Sequence, residues 1–107
     1  MKIGKFLLMV FYLFIFNIQN LLADEVKMAK GLEIFNETAG CAGCHALNAA
    51  GSVANIGPNL DTVSLTEELV KEMVTYGLGV MPAYGEGILT KEEIDIVSFY
   101  VANSAGK

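Results

Sequence analysis

Both cysteines of the 107-residue chain and its single histidine fall within five consecutive residues, Cys41-Ala42-Gly43-Cys44-His45. No other feature constrains the fold as much, because whatever this cluster bonds to must be housed by a small chain. Cysteines two residues apart serve thiol–disulfide exchange, metal binding or covalent cofactor attachment. The rest of the chain has to discriminate among them.

The chain begins with an export-like segment. Phe6 to Phe16 reads FLLMVFYLFIF, eleven apolar residues in a row, with Lys2 and Lys5 before it and Asn17, Gln19 and Asn20 after it. A basic start, a short apolar run and the small Ala23 before Asp24 read as a secretory signal peptide over residues 1–23. The alternative is a retained anchor over Phe6 to Leu22, although a spanning helix needs about 20 apolar residues. Cleavage after Ala23 leaves 107 − 23 = 84 residues as one domain, 24–107. With Lys2 and Lys5 gone, 5 of the 7 lysines face 12 acids, so the charge becomes 5 − 12 = −7. A domain this acidic is not expected to bind nucleic acid or an anionic membrane, and its field favours basic protein partners. Domains of this size bury a modest share of their surface and often need a staple.

The mature segment reads as helices joined by long loops. Met28, Leu32 and Phe35 form one stripe over Asp24 to Asn36, with Gly31 inside it. A mid-helix glycine costs about 1 kcal/mol relative to Ala, so Gly31 is either a weak point or a place where another backbone comes close. Residues 36–63 are glycine-rich and irregular, a long loop of the kind that wraps something. Ser64-Leu65-Thr66-Glu67 predicts a capped helix that stops at Gly77, and Thr90-Lys91-Glu92-Glu93 predicts a second capping box. The last helix is expected to turn Ile94, Val97, Tyr100 and Val101 inward and Glu93, Asp95 and Ser98 outward. No strand periodicity is evident.

For Cys41, Cys44 and His45, a redox dithiol expects a strand–helix–strand context that is missing here. A structural zinc needs four ligands, and the chain offers no second Cys or His cluster. Haem accounts for every residue of the cluster. Both thiols reach one edge of the macrocycle as thioethers, and the imidazole directly after Cys44 reaches the iron.

The cluster, the Gly57-Pro58-Asn59-Leu60 segment, and the loop Gly79-Val80-Met81-Pro82-Ala83-Tyr84 before a final helix together resemble the small mono-haem class I c-type cytochromes of bacteria and algae. The resemblance runs from Gly31 through Val101, and Met81 follows His45 by 36 residues. It implies an all-α fold of three to five short helices and long loops around one covalent haem c. It implies attachment through Cys41 and Cys44, with His45 and Met81 on the iron. Met81 sits in a glycine-bounded loop, and a thioether favours reduced iron. The rivals Met28 and Met73 lie on apolar stripes and read as core. Pro58 would offer its carbonyl to the His45 ring N–H, and Leu60 would pack on the haem, with some of Val53, Ile56, Leu69, Val70 and Val74. Gly31 would let the first and last helices meet near Tyr100. Tyr84, Tyr76 and Phe99 would line the cleft or join the core.

Two protein ligands leave the iron no open position, so the expectation is a one-electron carrier, not an enzyme. It would be a monomer in the periplasm, or in a thylakoid lumen. It would pass electrons between respiratory or photosynthetic complexes through basic docking surfaces, touching a membrane only through partners unless residues 6–22 are retained. The alternatives are a dedicated haem subunit of a periplasmic dehydrogenase, or a sensor or peroxidatic protein in which Met81 lets go of the iron.

Overall fold

The structure is a computed structural model and describes residues 2–107. It contains three α-helices, α1 (Lys2–Glu33), α2 (Glu67–Tyr76) and α3 (Lys91–Ser104), and two short strands, β1 (Ala46–Leu47) and β2 (Ser52–Val53). The all-α architecture with long loops is therefore observed. The strands, which no periodicity announced, form a two-residue antiparallel hairpin with Ala46 opposite Val53 and Leu47 opposite Ser52.

Helix α1 starts at Lys2 rather than Asp24, because nothing between the apolar run and the amphipathic stretch breaks it. It is long and apolar enough to cross a membrane by length and composition. Residues 2–26 are exposed, and packing begins at Lys27 and Met28. That projection gives the molecule its 66 Å long dimension, against 28 and 22 Å across. At its inner end α1 widens into a π-turn, Ile34–Thr38, closed by Ala39 N–H donating to the Ile34 carbonyl at 2.9 Å. The wider turn sends the consecutive side chains of Ile34 and Phe35 into the core together.

Helix α3 packs against both α1 and α2. Its buried arc is accordingly wider than one stripe. Ile94, Val97, Tyr100 and Val101 are buried as expected, but Ser98 is fully buried too, contrary to the outward position that periodicity predicts. Its hydroxyl finds no partner, a local cost of enclosing α3 on two sides. The capping box at the start of α3 forms as predicted: Glu93 N–H donates to the Thr90 hydroxyl at 3.1 Å, and Thr90 N–H donates to the Glu93 carboxylate at 3.0 Å. The bond from Thr90 N–H, and then the Thr90 side chain beside it, hold the Glu93 carboxyl below its ordinary pKa. The cap of α2 is Thr66, not Ser64. Its hydroxyl accepts from Leu69 N–H, and with leucine at that position no carboxylate reaches back.

Gly31 is where α1 and α3 meet. A Cβ placed there would lie 2.8 Å from Tyr100 Cγ and 3.2 Å from the Ile96 carbonyl oxygen. One turn on, the Phe35 and Tyr100 rings sit 6.1 Å apart and tilted by 56°, a geometry that contributes beyond simple burial. Lys27 Nζ lies 4.3 Å from the centre of the Phe99 ring, so the half-buried Phe99 meets α1 through a cation–π contact. The chain end is tied in separately: the Asp61 carboxylate accepts from Asn48 N–H and from Gly106 N–H, both at 2.8 Å.

Gly31→Ala is expected to destabilise the fold by about 1–3 kcal/mol, the usual cost of forcing atoms into a packed contact. Chemical denaturation of the two proteins side by side measures it; an unchanged midpoint would mean the helices separate freely.

Candidate haem-binding cleft

The turn that carries the cysteines is built by its backbone. Gly40 adopts a left-handed conformation, φ 68°, and opens a 3₁₀ turn over Cys41–Gly43. Gly43 N–H donates to the Gly40 carbonyl (3.0 Å), and Cys44 and His45 N–H both donate to the Cys41 carbonyl (3.1 and 2.9 Å). In a 3₁₀ turn, side chains three apart eclipse one another. Cys41 and Cys44 therefore present their sulfurs on one side, and they are not bridged to each other. Burial pushes the Cys41 thiol up to about 11. A thiol so hard to ionise is the reverse of the acidic nucleophile that disulfide exchange uses.

His45 is fixed from two directions. Its Nδ1 lies 2.8 Å from the Pro58 carbonyl oxygen. A carbonyl only accepts, so Nδ1 carries the proton and Nε2 keeps its lone pair. The imidazole also lies flat on Gly57, where a Cβ would sit 2.6 Å from Cε1 and 2.8 Å from Nδ1. Gly57 N–H donates to the Cys44 carbonyl at 2.7 Å, and Leu60 N–H donates to the Ala46 carbonyl at 3.0 Å. The 57–60 segment is thus laced to the 44–46 segment on both sides of the histidine. The sequence places Gly57 in the long irregular loop beside Pro58 and gives no role to its missing side chain; the missing Cβ matters because a ring occupies that space.

Met81 belongs to a tight reversal that follows α2. Gly77, φ 69°, ends the helix, and Leu78 and Met81 exchange backbone hydrogen bonds of 3.1 and 3.0 Å around Gly79 and Val80. A Cβ on Gly77 would meet the Met81 carbonyl at 2.5 Å, so the reversal needs glycine there twice over, for its φ and for its lack of a side chain. The loop then returns to α2, with Tyr84 N–H donating to the Val74 carbonyl (2.9 Å) and Gly85 N–H to Thr75 (3.1 Å).

These segments enclose a cavity of about 410 Å³, within the usual range for cofactor sites. Cys41, Cys44, His45, Pro58, Leu60 and Met81 all line it, so the six residues singled out in the sequence come together in one place. Among the described residues no Lys, Asp or Glu side chain lines the cavity. Of the apolar residues expected around it, Ile56, Leu69, Val70 and Val74 are there, whereas Val53 points away and is 91% exposed. Met73 also faces the cavity, which its helical stripe did not distinguish from core. Met28 packs against the core and Tyr76 is exposed, but Tyr84 reaches the cavity. Burial raises the Tyr84 hydroxyl above its ordinary pKa.

The donor set fits a haem. Two unbridged thiols share a face, an imidazole keeps a free Nε2, a soft thioether lies on a second loop, and an apolar wall joins them. Among the described residues no three His, Cys, Asp or Glu side chains gather as a metal cage would require. Fold and cleft together define a c-type cytochrome. Residues 26–101 match the family described as cytochrome C oxidase, cbb3-type, subunit III, and the chain belongs to that cytochrome c family. It is 36% identical over 83 residues to cytochrome c6 of Microcystis aeruginosa, covering 72% of this chain and 96% of the relative. The solved structure of the c-type cytochrome SorU from Sinorhizobium meliloti is 48% identical and superposes with a TM-score of 0.72, covering 78% of this chain and 95% of that one. The chain is a small c-type cytochrome with covalent haem c, an electron carrier and not an enzyme.

Gly57→Ala is expected to drive the imidazole off the Pro58 carbonyl, since the two cannot share that space without shifting. Loss of the slowly exchanging His45 Nδ1 proton in NMR spectra of the variant is the observation that checks it. A retained, protected ring proton would show that the 57–60 loop gives way instead.

Proposed function

We propose that this chain is an exported one-electron carrier with His45 and Met81 as the two iron ligands and Cys41 and Cys44 as the attachment points. The observation that carries the reading is the His45–Pro58 hydrogen bond, 2.8 Å, in a cavity that Met81 also lines. When bound, haem supplies one-electron Fe(III)/Fe(II) chemistry. His45 offers Nε2 because Pro58 holds the proton on Nδ1, and the same bond raises the basicity of the ligand. Met81 offers a neutral sulfur, which favours the reduced metal and raises the potential. Leu60, Val70 and Val74 exclude water, which limits the reorganisation that accompanies each charge change. With His45 and Met81 both holding the iron, no open position would remain for a substrate.

The same reading places the working protein outside the cytosol, with the chain cut after Ala23. Its support is that residues 2–26 pack against nothing, so removing the first 23 residues discards no buried contact. Redox proteins with basic docking surfaces are the partners that suit a mature charge of −7, from 5 lysines and 12 acids.

The mature protein from an export-competent host is expected to have the mass of residues 24–107 plus one haem, as read by intact-protein mass spectrometry. Retention of the first 23 residues would make it a tethered carrier.

Optical spectra test the ligation. Sharp reduced α and β bands with a weak far-red band in the oxidised protein are expected, and Met81→Ala should lose that weak band, bind carbon monoxide when reduced, and lower the reduction potential. Each tenfold loss of preference for reduced iron appears as about 59 mV. Carbon monoxide binding to the unaltered reduced protein would instead favour a sensor or peroxidatic role.

A further inference from the structure

Two segments that approach the cavity from different parts of the chain are joined by a single side chain. The Tyr84 hydroxyl donates to the Ala39 carbonyl at 3.2 Å. Ala39 precedes Gly40 and the cysteine turn, whereas Tyr84 sits three residues after Met81. Among the described residues this is the only hydrogen bond between residues 39–45 and residues 77–89. Every other polar contact of the Met81 loop is local or runs back to the end of α2: Leu78 to Met81, Tyr84 to Val74, Gly85 to Thr75 and Leu89 to Tyr84. The ring of Tyr84 packs against the core, and phenylalanine would fill the same volume. Its hydroxyl is the one part that packing does not require.

We propose that Tyr84 is a positioning residue for Met81: its hydroxyl ties the methionine loop to the cysteine turn and sets how readily the thioether leaves the iron. The proposal rests on the assignment of Met81 as a ligand. Without the tie, the hydrogen bonds that hold the loop to the rest of the protein run to α2 alone. Met81 then swings out by bending at Gly77 and Gly79, both of which already occupy left-handed backbone conformations. A hydrogen bond of this kind shifts such an equilibrium by about two- to tenfold.

The experiment titrates imidazole into the oxidised holoprotein, following loss of the weak far-red band, for the unaltered protein, Tyr84→Phe and Ile94→Val. Ile94 is buried in α3 and does not line the cavity, so its variant controls for general loosening. The expected result is an imidazole Kd about two- to tenfold lower for Tyr84→Phe, an unchanged Kd for Ile94→Val, and return toward the original value when 4-aminophenylalanine restores a donor at position 84. An unchanged Kd in Tyr84→Phe, with the band present in both proteins, overturns the role of Tyr84 and leaves the ligation intact. A lowered Kd that the restored donor does not recover overturns it as well, by tracing the effect to the ring. Absence of the band from the unaltered protein overturns the ligation itself, and the positioning role with it.

Discussion

The hydrogen bond between His45 Nδ1 and the Pro58 carbonyl is the contact on which the cleft depends. It joins residues thirteen positions apart and closes a loop whose main buried side chain is Leu47. Loop closure costs entropy that grows slowly with length, and here the cost is offset at both ends by the backbone bonds of Gly57 to Cys44 and Leu60 to Ala46. One proton location follows from it, and with that location the chemical character of the other ring nitrogen. Gly57 contributes by what it lacks, since any side chain there would occupy the place of the imidazole.

The remainder of the molecule serves as scaffold for this arrangement. Helices α1 and α3 meet through Gly31, Phe35 and Tyr100, and the buried residues Val97 and Val101 of α3 also form part of the cavity wall. The helical contact and the cleft therefore share residues, and a loss of packing in one is felt in the other. Helix α2 supplies a second wall through Val70 and Val74, and through its glycine stop it launches the methionine loop. A domain with so few buried side chains has its centre completed by a cofactor.

Much of this was legible in the sequence. The five-residue cluster was identifiable because its chemistry is tied to spacing and residue type, Met81 from its glycine-bounded loop, and Pro58 and Leu60 through the family resemblance. What escaped notice depended on three-dimensional neighbours. Ser98 reads as solvent-facing on a single stripe, and only enclosure of α3 by two helices buries it. Ser64 and Thr66 both look like caps, and the choice fell on the residue whose hydroxyl meets a free N–H, that of Leu69. Val53 and Ile56 are equally apolar, close in sequence and both largely exposed, yet only Ile56 stands at the cavity. The long reach of the Tyr84 hydroxyl leaves no trace in composition or periodicity.

The pairing of α1 with α3 also bears on the order of events during biogenesis. Residues 28–35 and 97–101 stand far apart in the chain, so the contact at Gly31 forms only once α3 is present. A polypeptide made from its N-terminus delivers Cys41, Cys44 and His45 well before Val97 and Val101, the residues that complete the cavity wall. Throughout that interval the thiols belong to an unfinished, accessible chain. The topology thus leaves the cysteines on an unfinished chain during synthesis and completes the wall beside them when the last helix arrives, with Cys41 half-buried and Cys44 still exposed.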